Sequence, residues 1–270
     1  MNSLAMPPIR IMRPARFRPV AIAVLGAALC AAAWELAARG PMAGGPFPTV
    51  GAISISMGEL SVRSAFWSSL GQTVLTALVG LGISIVIGVV FGLVIGLVDF
   101  AYRSTRVVLE ILKPIPAIVV MPLALMLLGP STEMGVLLVV FGCVWAILIQ
   151  TVTGVRDADP VLLDTARSFG LGRIRRALQV VLPGAGAFIV TGVRIACSAA
   201  FVIAVVSELV GGAPGIGRDL FLAQGAGLYA EMYALVVISG AVGLVFNSGM
   251  RQVEKWALHW HPSVRKEGQR

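Results

Sequence analysis

Charge is what this chain has least of. Asp, Glu, Lys and Arg make up 13% of its 270 residues, about half the share of an ordinary soluble domain. So few charged groups cannot clothe a water-facing exterior, which excludes a conventional soluble protein and leaves part of the surface to lipid. Cysteine is also scarce: Cys30, Cys143 and Cys197 lie far apart in apolar segments. That excludes a disulfide framework or a cysteine metal site, and the three read as small buried hydrophobes. There are two histidines, His259 and His261, on either side of Trp260 near the end of the chain. They supply at most half a metal site, and an interfacial or tail position is the plainer reading. The three lysines, Lys113, Lys255 and Lys266, all lie outside any G-x-x-x-x-G-K-[ST] loop. The chain therefore has no phosphate cradle with which to energise itself. Scattered carboxylates and two distant histidines form no cluster of nucleophile, base and metal ligands, which argues against a membrane enzyme.

What is present is apolar and long. No Asp, Glu, Lys, Arg or His occurs from Ser64 to Val98, from Pro114 to Thr132, from Met134 to Val155, or from Met232 to Met250. A helix needs roughly 20 apolar residues to cross the hydrocarbon core of a bilayer, and each stretch is about that long or longer. The sequence predicts an all-α, polytopic membrane protein with six transmembrane helices. They lie near Val20–Ala38, Leu70–Leu97, Val107–Leu128, Met134–Thr153, Leu182–Val210 and Met232–Met250. The corresponding organisation is a basic segment at 1–19, a six-span domain at 20–250 and a basic tail at 251–270.

The formal net charge of +8 is accounted for by loop asymmetry, without a nucleic-acid partner. With the N-terminus inside, 17 of the 21 Lys and Arg fall on inner segments. Three (Arg39, Arg63, Arg218) fall outside, and Arg194 lies within a span. Because basic residues are retained on the cytoplasmic side, both termini are expected to be cytoplasmic. Arg10, Arg13, Arg16 and Arg18 precede the first apolar run, as they would in a cleaved signal. Bulky Leu29 before Cys30 fits a lipoprotein cleavage site poorly, and a retained first span is expected.

Three features mark the spans. Gly80, Ser84, Gly88, Gly92 and Gly96 place a small residue at every fourth position of the second span. Residues so spaced share one helix face, making a groove where another helix can approach closely. The partner is either a helix of the same subunit or a second copy. Pro114, Pro116 and Pro122 disturb the third span. Irregular backbone at membrane depth survives only against protein or a water-filled cavity, so Pro116 and Pro122 are candidates for a translocation path. Arg194 and Glu208 are the charges within the fifth span. Arg194 follows Pro183 by 11 residues, about 16 Å of helix, and is expected near mid-membrane. It would serve either as a cation on the path of an anionic solute or as a structural donor to carbonyls, Glu35, Gln150 or Asn247. Glu208 is expected at the outer mouth.

The loop between spans four and five, 156–181, carries the most information. Asp159-Pro160 has the form of a helix N-cap followed by proline at the first helical position. Leu162, Ala166 and Phe169 fall on one face, and Gly170 can end the helix in a left-handed conformation. A short helix with an apolar stripe is not stable alone and needs a groove, either on a partner or on the protein's own spans.

From Asp164-Thr165-Ala166-Arg167-Ser168-Phe169-Gly170 to Val180-Val181-Leu182-Pro183, the loop resembles the signature of binding-protein-dependent ABC importer permeases. That signature reads E-A-A, three residues, G, nine residues, I, one residue, L-P. The spacing is kept, with Asp for Glu, Thr for the first Ala and Val for Ile. Gly154-Val155-Arg156, Pro160, Leu162-Leu163, Pro116 and Pro122-Leu123 extend the match. Gly192-Val193-Arg194, Glu208, Gly215-Ile216-Gly217 and the tail to Trp260 resemble the sulfonate, nitrate and taurine branch. Asn247 stands where that branch commonly has Asp. The likeness covers roughly residues 45 to 262.

The resemblance implies a type I-like ABC importer permease in a bacterial cytoplasmic (inner) membrane. Asp164, Thr165, Ala166, Phe169, Gly170, Leu182 and Pro183 would form the loop that couples to an ABC-type ATPase. ATP and Mg would bind that partner, with no cofactor and no catalysis on this chain. An extracytoplasmic solute-binding protein and a second copy of the chain are implied partners, and the solute would be a small anion. The competing reading is an ion-gradient-driven secondary transporter. It would normally show an inverted repeat and buried acids for ion coupling, and neither is evident.

Overall fold

A computed structural model describes residues 17–257; the basic residues Arg10 to Arg16 and the His259-Trp260-His261 triplet lie outside them. The described residues form helices throughout: α1 (Phe17–Arg39), α2 (Val50–Val62), α3 (Ser64–Leu97), α4 (Asp99–Leu112), α5 (Ala117–Leu128) and α6 (Thr132–Arg156). These are followed by α7 (Pro160–Ser168), α8 (Arg173–Arg176), α9 (Leu182–Gly211), α10 (Ile216–Gly225) and α11 (Tyr229–Ala257). Five segments are long and apolar enough to span a membrane: α1 from Ile22, α3, α6, Arg173–Gly211 and α11. A bent pair, α4 with α5, makes a sixth when counted as one span.

The core is a three-helix packing of α3, α6 and α9 around Ala77, Leu81, Val139, Cys143, Ile147, Ala196, Cys197, Ala200 and Ala204. The glycine groove of α3 is filled by α6 of the same chain. A Cβ on Gly80 would come 2.5 Å from Val139 Cγ1. One on Gly88 would come 2.8 Å from Ile147 Cβ, one on Gly92 2.6 Å from Thr151 Cβ, and one on Gly96 2.7 Å from Val155 Cβ. Each four-residue step along α3 is matched by a four-residue step along α6, so the two helices run parallel at close range. Lipid offers no hydrophobic drive between helices, and this contact supplies dispersion instead. Ser84, in the middle of the stripe, is fully buried and turns its hydroxyl back to Gly80 O at 2.7 Å. Cys143 and Cys197 are buried unpaired thiols, as expected, whereas Cys30 is exposed on α1. The outward-facing residues of α1 include Ile22, Val24, Leu25 and Leu29, an apolar surface suited to lipid.

The third expected span, Val107–Leu128, is not one helix. It breaks between Leu112 and Ala117, and α4 and α5 meet at 90°. Pro114 and Pro116 have no N–H to continue the ladder, and each ring crowds the preceding turn. Only α5, 12 residues or about 18 Å at 1.5 Å per residue, continues along the bundle. Farther on, Pro183 follows a π-helical turn, Ala177–Val181, that joins α8 to α9. Proline at the start of α9 removes the donor to Gln179 O, and one widened turn accommodates its ring.

The bundle has two ends. One carries α7 and the α3–α4 corner; the other carries α2, α10 and the start of α11. The α4–α5 break lies between them, where Ala117 meets Gly142 midway along α6.

Candidate functional site

At the α7 end, Asp159 Oδ1 accepts from Val161 N at 2.8 Å and Pro160 opens α7, the arrangement that Asp159-Pro160 predicts. Gly170, at φ 73°, ends it, and Leu171 N returns to Ala166 O at 3.1 Å. The helix is held to its own chain by few residues. Ala166 is buried, and Leu163 packs beside Val155, Val181 and Ala185. Leu162, Ala166 and Phe169 do not share one environment: Leu162 is 57% exposed and Phe169 81%. Val161 and, beyond the turn, Ile174 are open as well. Thus the stripe is divided, with one side packed on the subunit and the other bare. Asp164 is tied only to Arg167, at 2.8 Å, and Thr165 bonds back to Val161 O at 2.7 Å. Leu182 and Pro183 begin α9 beside this loop.

The neighbouring corner is fixed by Arg156 at the end of α6. Its guanidinium pairs with Asp99 at 3.0 Å and lies 4.0 Å over the Tyr102 ring. It also reaches Gly96 O at 3.4 Å. One side chain thereby holds the end of α3 and the start of α4 against α6. A cavity of about 450 Å³ opens here, lined by Tyr102, Arg106, Lys113, Thr153 and Arg156 among others. A second, of about 400 Å³, lies behind the α4–α5 break, between Pro114, Pro116, Met121, Trp145 and Ile203. Of the four residues expected on a path, Pro116 lines this second cavity. Pro122 sits inside α5, exposed on its surface.

Arg194 is 47% exposed at its side chain and pairs with Glu254 of α11 at 3.4 Å. Its partner is therefore Glu254, and not Glu35, Gln150 or Asn247. Glu35 pairs with Arg39 and accepts from Val50 N, and Asn247 meets Ser198 at 3.4 Å. Arg194 lies between Gly192, which packs on Ala146, Ile147 and Gln150, and Ala196, whose carbonyl accepts from Cys143 Sγ. Its backbone is therefore about half-way along α6, while its side chain reaches Glu254 in the last described turn of α11.

At the opposite end, Glu208 is fully buried. Its Oε2 accepts from Thr73 Oγ1 at 2.9 Å and from Gly217 N at 3.0 Å. Thr73 Oγ1 in turn accepts from Ile216 N at 3.0 Å. Oε1 finds no partner. A Cβ on Gly215 would overlap the Glu208 carboxyl, and one on Gly217 would overlap Val205 O. The glycines let the start of α10 descend onto the carboxylate, and two otherwise orphaned N–H groups of that helix are satisfied by α3 and α9. The sequence placed Glu208 at the outer mouth, and Gly215-Ile216-Gly217 entered only through the family resemblance. The available signal was a pair of glycines one residue apart, shortly after a lone acid in an apolar helix. The described residues contain no group of His, Cys, Asp and Glu that could hold a metal.

Residues 84–257 match the family described as the binding-protein-dependent transport system inner membrane component. SsuC of Escherichia coli (strain K12), an aliphatic sulfonates transport permease by name, is 30% identical over 86% of this chain and 89% of its own. The bicarbonate transport permease CmpB of Synechococcus elongatus is 26% identical over 73% of this chain and 70% of its own. Among solved structures, one inward-facing form of the MetNI methionine ABC transporter matches at a TM-score of 0.63 with 16% identity. That match covers 73% of this chain and 98% of that one, and it is a likeness of fold. With its all-helical bundle and its bare loop helix α7, this chain belongs to the family of binding-protein-dependent ABC importer permeases, in the sulfonate, nitrate and taurine branch.

Proposed function

We propose that this chain is the membrane permease of an ATP-driven importer in a bacterial cytoplasmic membrane. Its cargo is a small anion of the sulfonate, nitrate, bicarbonate or taurine kind. In this reading the α7 end and both termini face the cytoplasm. Asp164, Thr165, Ala166, Phe169 and Gly170, backed by Leu182 and Pro183, form the element that sits in a cleft of a partner ATPase. ATP and Mg bind there and not on this chain. A solute-binding protein docks at the α10 end, and two copies of the chain enclose the path.

The observation that carries the reading is the bare side of α7. A capped helix exposing Val161, Leu162 and Phe169 beside three arginines, Arg173, Arg175 and Arg176, has the chemistry of a docking surface. A contiguous apolar patch rimmed by polar groups is costly in water and marks an interaction site. The split of 17 basic residues to 3 supports the same orientation. The test is co-purification in detergent of the permease with its cognate ATPase, wild type against Phe169→Glu. Retention by wild type and loss from a variant that melts at the same temperature is the expected result. Equal retention by both removes α7 from the interface.

A further inference from the structure

We infer that Lys113 contacts the transported anion where two cavities of one subunit meet, serving as a cationic relay at the α4–α5 break. The inference rests on the anion-importer reading above and adds a specific residue and route to it. Lys113 lines both the cavity behind the break and the cavity under Tyr102 and Arg156. The first reaches up the bundle along α5 to Met121, Leu138 and Val206. The second opens at the α7 end. Lys113 is the residue common to the walls of both cavities.

The other cations of the second cavity have protein partners: Arg106 pairs with Glu110 at 3.2 Å and Arg156 with Asp99 at 3.0 Å. Among the described residues, no carboxylate pairs with Lys113, and its side chain is exposed. A flexible stem carrying three rotatable donors suits a group that must follow a moving ligand. The surrounding wall is mostly apolar, from Ile115, Ala117, Ile118 and Met121 to Ile203. Trp145 adds an indole N–H that finds no acceptor in this conformation. The ligand chemistry is a small oxyanion, which a transported solute or a lipid phosphate could supply. We assign it to the solute, because the first cavity is walled by protein helices, α5, α6 and α9.

The test uses the full transporter, permease with ATPase and binding protein, in vesicles, with ethanesulfonate and nitrate as probes. A Cys30→Ser background leaves only the buried Cys143 and Cys197. In it, Lys113→Gln and Lys113→Cys are expected to lower uptake at least tenfold. Aminoethylation of Lys113→Cys with 2-bromoethylamine, which rebuilds a lysine-like side chain, is expected to restore at least a third of it. Alkylation with iodoacetate, which installs a carboxylate, is expected to restore none. Lys113→Gln uptake within twofold of wild type overturns the inference. So does a loss that complete aminoethylation leaves unchanged. A loss confined to vesicles containing phosphatidylglycerol, and absent in pure phosphatidylcholine, assigns the lysine to a headgroup and also overturns it. A wild-type transporter that hydrolyses ATP but moves neither probe fails at the anion-importer reading itself, and the inference falls with it.

Discussion

The two ends of the bundle use charge in opposite ways. At the α10 end, one carboxylate is withdrawn completely from solvent and spent on holding α3, α9 and α10 together through Thr73, Ile216 and Gly217. At the α7 end most charges stay at the surface, although Arg176 is half-buried. Arg103, Arg173, Arg175 and Arg176 have no carboxylate partner among the described residues, and the side chains of Asp164 and Asp99 are mostly exposed. One end buries a charge to hold its helices together; the other leaves the apolar side chains and cations of a loop helix exposed. In physical terms the first should fail by unfolding, and the second by losing a partner while the fold stays intact.

The largest expected effect that sharpens this contrast comes from Gly217→Leu. A side chain there must displace Val205 O and the Glu208 stem, and overpacking of this kind costs roughly 1–3 kcal/mol or more. The apparent melting temperature in detergent should fall by many degrees, whatever partner is present. Next comes Thr73→Val, which keeps the shape but leaves Ile216 N without its acceptor and Glu208 with Gly217 N as its remaining donor. An unsatisfied buried group costs about 1–3 kcal/mol, so a smaller drop in the same melting curve is expected. Arg156→Ala lies between the two regions. It frees the α3–α4 corner from α6, and protease accessibility of the segment around Asp99 should rise before global stability changes. The smallest effect on stability belongs to Phe169→Ser. Its side chain is 81% exposed, and exposed substitutions usually stay within about 0.5 kcal/mol. The melting temperature should hold while ATPase retention is lost. If Phe169→Ser unfolds the protein or Gly217→Leu leaves it untouched, the contrast between the ends is wrong.

Much of the fold was legible because lipid imposes long uncharged runs, and those runs mark the helices. The cap at Asp159, the stop at Gly170 and the small-residue stripe of α3 were legible for local reasons, being fixed by backbone chemistry or by a four-residue spacing. What sequence could not supply was the partner of each feature. The stripe fitted either α6 or a second copy until Val139, Ile147, Thr151 and Val155 were found against it. Arg194 could be placed along its span by counting residues from Pro183, but its partner could not. The helix runs back through a π-turn to Arg173, and the partner, Glu254, lies 60 residues away. Glu208 was expected at the outer mouth because it follows Arg194 by 14 residues, about 21 Å of helix. Here two glycines in the next segment let the Gly217 N–H reach it, and the Thr73 hydroxyl, 135 residues away, completes the pair of donors, a partner that no local pattern encodes. The break at Lys113-Pro114-Ile115-Pro116 was expected as an irregularity, but its 90° angle and the cavities on either side of Lys113 come only from the packing of α4 and α5 on α6.

The most direct measurement of the central claim is solute uptake into vesicles holding the purified permease, with and without its ATPase and binding protein. The account predicts no uptake by the permease alone under any imposed proton or sodium gradient, and ATP-dependent uptake once both partners are added. Uptake by the chain alone, driven by an ion gradient and indifferent to ATP, would contradict it and leave α7 without the role proposed for it.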